Sequence, residues 1–181
     1  MLRVVVIDDQ EQFAEVVRAT MGREPDFEAV GHAANVVEGL DLMESFEPDL
    51  VMVNVHLGPG DGMAAIAWIN DRHPNVRVVV TTAFASAPLM QRAIDANARA
   101  WHPKDAGPAR LLWLLRNTGR AGFTAHPDVL HQLTAGGPLT PKHEGSTSPQ
   151  TARSWEPHGA GVFGASQRVG WGRMTYDQAG L

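Results

Sequence analysis

The chain has 181 residues, enough for one domain of ordinary size and an appendage. A hydrophobic share of 44% suits a globular core, a formal net charge of −5 gives no support for a nucleic-acid footprint, and the absence of cysteine excludes a disulfide framework, thiol chemistry and thiolate metal sites. The N-terminus enters a strand with no signal-peptide pattern, and no apolar run approaches the roughly 18 residues that span a bilayer, so the expectation is a cytoplasmic protein without membrane attachment.

Residues 2–7 read as a buried strand ending in Asp8-Asp9. Residues 10–23 read as a helix, with Phe13, Val16, Val17 and Met21 at helical spacing. Residues 27–33 form a weaker strand, and 36–46 a helix with Val37, Leu40 and Met43 on one side. Strands then fit 49–54, 76–82 and 99–102, and helices fit 62–73, 86–97 and 106–117. Five βα units of this length predict a doubly wound α/β fold, a parallel sheet covered by helices on both faces. Ligands of such sheets bind outside the carboxyl ends of the strands. Those ends carry an acid pair (Asp8, Asp9), an amide (Asn54), a hydroxyl (Thr82) and a lysine (Lys104).

Composition shifts near residue 120. Residues 121–181 hold ten of the 18 glycines and five of the 12 prolines, with four basic and four acidic residues. Only Pro127–Leu133 looks helical, so residues 121–138 read as a linker with a short helix. From about Gly136 no period of 2 or 3.6 persists, and 139–181 read as an irregular, largely disordered tail. Trp155, Phe163, Trp171 and Tyr176 are unusual in such a tail and have no physical account. No internal repeat is visible.

The order and spacing of the strand-end residues resemble the receiver domain of bacterial response regulators, over about residues 2–118. The resemblance implies a five-stranded flavodoxin-like sheet of order 2-1-3-4-5 and a receiver domain over 1–120. In that family the residue matching Asn54 is the aspartate that accepts phosphate. Asp8 and Asp9 match the acid pair that holds Mg2+, joined by position 54 and the backbone carbonyl of His56. Thr82 matches the switch hydroxyl, Ala83 follows it, Trp101 matches the switch aromatic, and Lys104 matches the phosphate-binding lysine. Lys104 falls 22 residues after Thr82, as in the family. Asp61 matches a structural aspartate. The segment Ala98–Asp105 is similar to the version found in LuxR/NarL-type regulators. Leu139-Thr140-Pro141-Lys142-His143-Glu144 resembles the opening of their helix-turn-helix domain, after which the likeness stops.

Each of these positions also has a bland reading. Asp9 with Gln12 fits a capping box for the first helix, and cap and ligand are compatible roles. A lone lysine is normally a solvated surface group. A carboxamide at Asn54 is neutral and cannot form an acyl phosphate, and it adds no charge to a cation site, so a weak Mg2+ site is expected. The indole of Trp101 is larger than the usual ring and is expected to rotate inward less freely. Leu111-Leu112-Trp113-Leu114-Leu115 is apolar on every side, which suggests a homodimer unless the 127–134 helix covers it.

These features predict an atypical receiver that is not phosphorylated at the usual site. It would act on a histidine kinase or another signalling protein, or by dimerising. A LuxR-type DNA-binding regulator is the alternative, although the tail lacks the basic clustering this needs. An enzyme is not expected, because no glycine-rich phosphate loop follows the first strand and no nucleophile elbow appears. The tail is either a frame-changed remnant of a DNA-binding domain or its replacement by an unrelated segment.

Overall fold

The computed structural model describes residues 1–57 and 60–134. Strand β1 (Leu2–Ile7) leads into helix α1 (Glu11–Met21), then β2 (Phe27–Ala33), α2 (Val36–Phe46) and β3 (Leu50–Asn54). A short hairpin, β4 (His56–Leu57) and β5 (Gly60–Asp61), precedes α3 (Gly62–Arg72) and β6 (Arg77–Thr82). Helix α4 (Ala87–Asp95), β7 (Ala100–Pro103), a 3-10 turn (Lys104–Ala106) and α5 (Pro108–Asn117) follow, and β8 (Thr124–Ala125) and α6 (Pro127–Thr134) come last.

The main sheet has the order β2-β1-β3-β6-β7-β8, every pairing parallel. The first five strands keep the expected order. The sixth is a departure from the expected five, because the chain after α5 returns to pair Thr124 with Ala100 and Ala125 with Trp101. Near-continuous Val runs in β1, β3 and β6 are buried on both faces, as parallel strands under two helical layers must be. One face packs Val5, Ile7, Val51, Val53, Val78 and Val80 toward α2, α3 and α4. The other packs Val4, Val6, Leu50, Met52 and Val79 toward α1 and α5.

Local chemistry sets several helix boundaries. The Asn35 side chain caps α2 by accepting from Glu38 N at 3.0 Å, and Ser86 caps α4 through Leu89 N at 3.3 Å. Proline starts α5, where a missing N–H costs nothing. Helix α2 ends at Glu47 in the left-handed region (φ 44°).

Three details differ from the expected faces. Val16 and Val37 are exposed, and Ala14 and Val36 take their places, because a helix buries one stripe and residues one or two positions away lie about 100° or 200° around it. Asp9 does not cap α1; Gln10 occupies the N-cap without a side-chain bond. Within the apolar run of α5, Leu111, Leu114 and Leu115 are buried in the sheet-facing core, so they cannot form a dimer face in the folded protein. Leu112 is only partly buried, while Trp113 meets the His126 ring edge-on at 5.0 Å between centroids. Val129 and Ala125 pack into the cluster that holds Trp101, and Arg110 pairs with Asp128 at 2.8 Å. Residues 123–130 thus lie against the β7 edge.

Candidate functional site

The carboxyl ends of β1, β3, β6 and β7 bring Asp8, Asp9, Asn54, Thr82 and Lys104 to one edge of the sheet. Register makes this unavoidable: Ile7 pairs with Val53, Asn54 with Thr81, and Thr81 with His102. Each residue that ends a run therefore lies beside the next.

Asp8 is fully buried. Its Oδ1 accepts from Gln10 N at 2.9 Å and from Lys104 Nζ at 2.8 Å, and Nζ is also 2.8 Å from Oδ2. Burial pushes the Asp8 carboxyl above the usual carboxylate range, opposed by the Lys104 and Gln10 hydrogen bonds. Lys104 Nζ also donates to Gln10 Oε1 at 3.2 Å and lies 5.0 Å from the centre of the Phe13 ring. The lysine is therefore a partner of Asp8, not a solvated surface group. His32 Nε2 lies 2.7 Å from the Asp8 carbonyl oxygen, so that nitrogen carries the proton.

Asn54 is buried, and both polar atoms of its amide are hydrogen-bonded. Nδ2 donates to Asp9 Oδ1 at 3.0 Å and to the His56 carbonyl oxygen at 3.0 Å, while Oδ1 accepts from His56 N at 3.3 Å. The expected metal ligands do not fit a cation in this arrangement. The nitrogen of Asn54, not its oxygen, faces Asp9 and the His56 carbonyl. Among the described residues no group of three His, Asp or Glu side chains could hold a metal ion.

The Thr82 hydroxyl accepts from Phe84 N at 3.1 Å, which turns it into the loop after β6. Ala83 and Phe84 are exposed, and Phe84 meets the His56 ring edge-on. The Trp101 indole is buried in the core cluster that also holds Val80, Met90 and Val129. Its Nε1 has no hydrogen-bond partner among the described residues.

Four contributors escaped the sequence reading. Gln10 and Phe13 complete the surroundings of Lys104, and Phe13 had looked like an ordinary core residue. Thr81 and His102 extend a buried polar row from Asn54 across β6 and β7. Alternation along each strand could have signalled this, since both residues share the parity of Val79 and Ala100. The side chain of Asp61, the turn at 58–59, the Leu139–Glu144 segment and the aromatic residues of the tail lie outside the described residues.

A doubly wound parallel sheet with an acid pair and a lysine converging at its carboxyl edge defines a receiver-type signalling domain. The model for the response regulator receiver domain matches residues 4–116. The chain belongs to the response regulator receiver family. It is similar to the transcriptional regulatory protein DegU of Brevibacillus brevis, 24% identical over 132 residues that cover 73% of this chain and 56% of that protein. The uncharacterized transcriptional regulatory protein YhcZ of Bacillus subtilis is 29% identical over 111 residues, covering 61% of this chain and 52% of its own. The chain thus spans just over half the length of these relatives. The crystal structure of a LuxR-family response regulator from Aurantimonas superposes with a TM-score of 0.67 at 24% identity, covering 74% of this chain and 96% of that one. Among the described residues no helix is long and apolar enough to cross a membrane.

Proposed function

We propose that this receiver of two-component signal transduction takes no phosphoryl group at position 54 and acts by binding a histidine kinase or another signalling protein. The observation that carries this is Asn54. An acyl phosphate needs an anionic carboxylate oxygen to attack phosphorus. The amide oxygen is neutral and is occupied by the His56 N–H, and the amide nitrogen is committed to two acceptors. Lys104, which would steady an incoming phosphoryl group, is tied to buried Asp8.

Incubation of the intact chain with Mg2+ and acetyl phosphate is expected to leave its mass unchanged. A stable gain of one phosphoryl group, mapped to Asn54 or a neighbouring aspartate, would sink the proposal. Asn54→Asp is expected to gain labelling, because Asp9 already stands within hydrogen-bond reach of position 54.

The names of the relatives favour one alternative, a LuxR-type transcriptional regulator that binds DNA. A band shift that survives excess competitor DNA at physiological salt would establish it. The expected result is no such complex.

A further inference from the structure

We infer that the Asn54 carboxamide stands where a receiver pocket would hold its divalent cation, and so excludes that cation instead of ligating it weakly. This rests on the reading of Asn54 as the substituted phosphoacceptor position. Three oxygens would have to serve the metal: the Asp8 carboxylate, the Asp9 carboxylate and the His56 carbonyl. Each of these three groups already has a donor on at least one oxygen. Asp8 has the Lys104 ammonium and the Gln10 N–H, while Asp9 and the His56 carbonyl share the two N–H bonds of Asn54 Nδ2. One amide nitrogen bridges two oxygens that a cation would otherwise bridge.

The orientation of the amide follows from its neighbours. Reversed, Oδ1 would face the Asp9 carboxylate and the His56 carbonyl, and the amino group would face the His56 N–H. All three contacts would set like against like. As placed, all three are hydrogen bonds. A cation could use the Asn54 oxygen only after both Nδ2 bonds broke and the amide turned over. Charge points the same way. Two carboxylates and one ammonium leave a net charge of −1 at the site, where an aspartate at position 54 would make it −2. Mg2+ gives up its waters reluctantly and demands near-octahedral oxygen ligands, so a preoccupied pocket with a net charge of only −1 is a poor exchange for its hydration shell.

The two roles of Asn54 predict opposite results for its removal. If Asn54 is a weak ligand, Asn54→Ala binds Mg2+ less tightly than the parent. If it is a plug, Asn54→Ala frees Asp9 and the His56 carbonyl and binds Mg2+ more tightly. The experiment is a titration of the full chain and of Asn54→Ala with MgCl2 at constant ionic strength, following the backbone amide resonances of Asp9 and His56. The variant is expected to bind about fivefold tighter or more, the scale set by one net hydrogen bond lost from the competition. Equal or weaker binding by the variant overturns the inference. Should the variant fail to fold, the side-chain amide resonances of Asn54 in the parent decide. Resonances that stay unmoved in millimolar Mg2+ support the plug, and a saturable shift defeats it. Mg2+ binding by the parent without phosphoryl uptake would defeat this inference alone, whereas phosphoryl uptake at position 54 would defeat the functional reading beneath it.

Discussion

Gly62→Ala is expected to destabilise the protein by about 3 kcal/mol or more, the upper range for forcing extra atoms into a packed interior. Gly62 opens α3 directly behind the strand end that carries Asn54. A Cβ built there would overlap the Asn54 carbonyl oxygen, and would lie 2.8 Å from Val55 Cα and 2.9 Å from Val55 O. These are backbone atoms and cannot swing aside as a side-chain end can. Either α3 must lift from the sheet or the Asn54–His56 segment must shift, and the second course also strains the amide network. Gly39→Ala is a useful contrast. The nearest atoms there belong to the Ile7 side chain, which has rotamers to try, so a smaller loss is expected. Urea unfolding of both variants checks this through the midpoint at unchanged slope. A Gly62→Ala midpoint within error of the parent would show that the close approach is relieved at no cost.

Acid sensitivity traceable to His102 is the second large effect. Its ring is buried on β7, and burial pushes its pKa down from 6.5 to about 4, with Asp105 opposing weakly. The folded chain therefore holds His102 neutral while the unfolded chain protonates it near pH 6.5. Between these values the unfolded state binds more protons, so stability rises with pH. The contribution is complete above about pH 6.5, is lost as pH falls toward 4, and levels off below that. A shift of this size corresponds to about 3 kcal/mol over the window. Other carboxylates also titrate there, so the test is a difference. The gap in unfolding free energy between the parent and His102→Leu should widen in favour of the variant from pH 7 to pH 4.5. A gap that does not change with pH would mean that the imidazole finds a partner or solvent when charged.

The run of alternating apolar and polar segments was enough to determine the architecture. Each Val-rich strand needs two covering layers, and each amphipathic helix supplies part of one, so the parallel sheet was legible as far as Asn117, while its strand order came from the resemblance to receivers. The same local signals placed Asp8, Asp9, Asn54 and Lys104 at strand ends, because a strand end is a property of its own segment. Which of these groups touch was not legible. The pairing of Lys104 with Asp8, and of the Asn54 nitrogen with Asp9 and the His56 carbonyl, depends on side chains brought together from 45 and 96 residues apart. Competition among donors and acceptors in that buried space decides the outcome, and no single segment encodes it. The β8 strand is a similar case. Thr124-Ala125 has too little apolar pattern to announce a strand, and it forms because the open edge of β7 offers it backbone partners. The apolar run of α5 left two covers open, a second copy or the 127–134 helix, for the same reason. Sequence reveals that some of Leu111–Leu115 must be buried, but only the packed sheet shows that Leu111, Leu114 and Leu115 are, and that this same chain buries them.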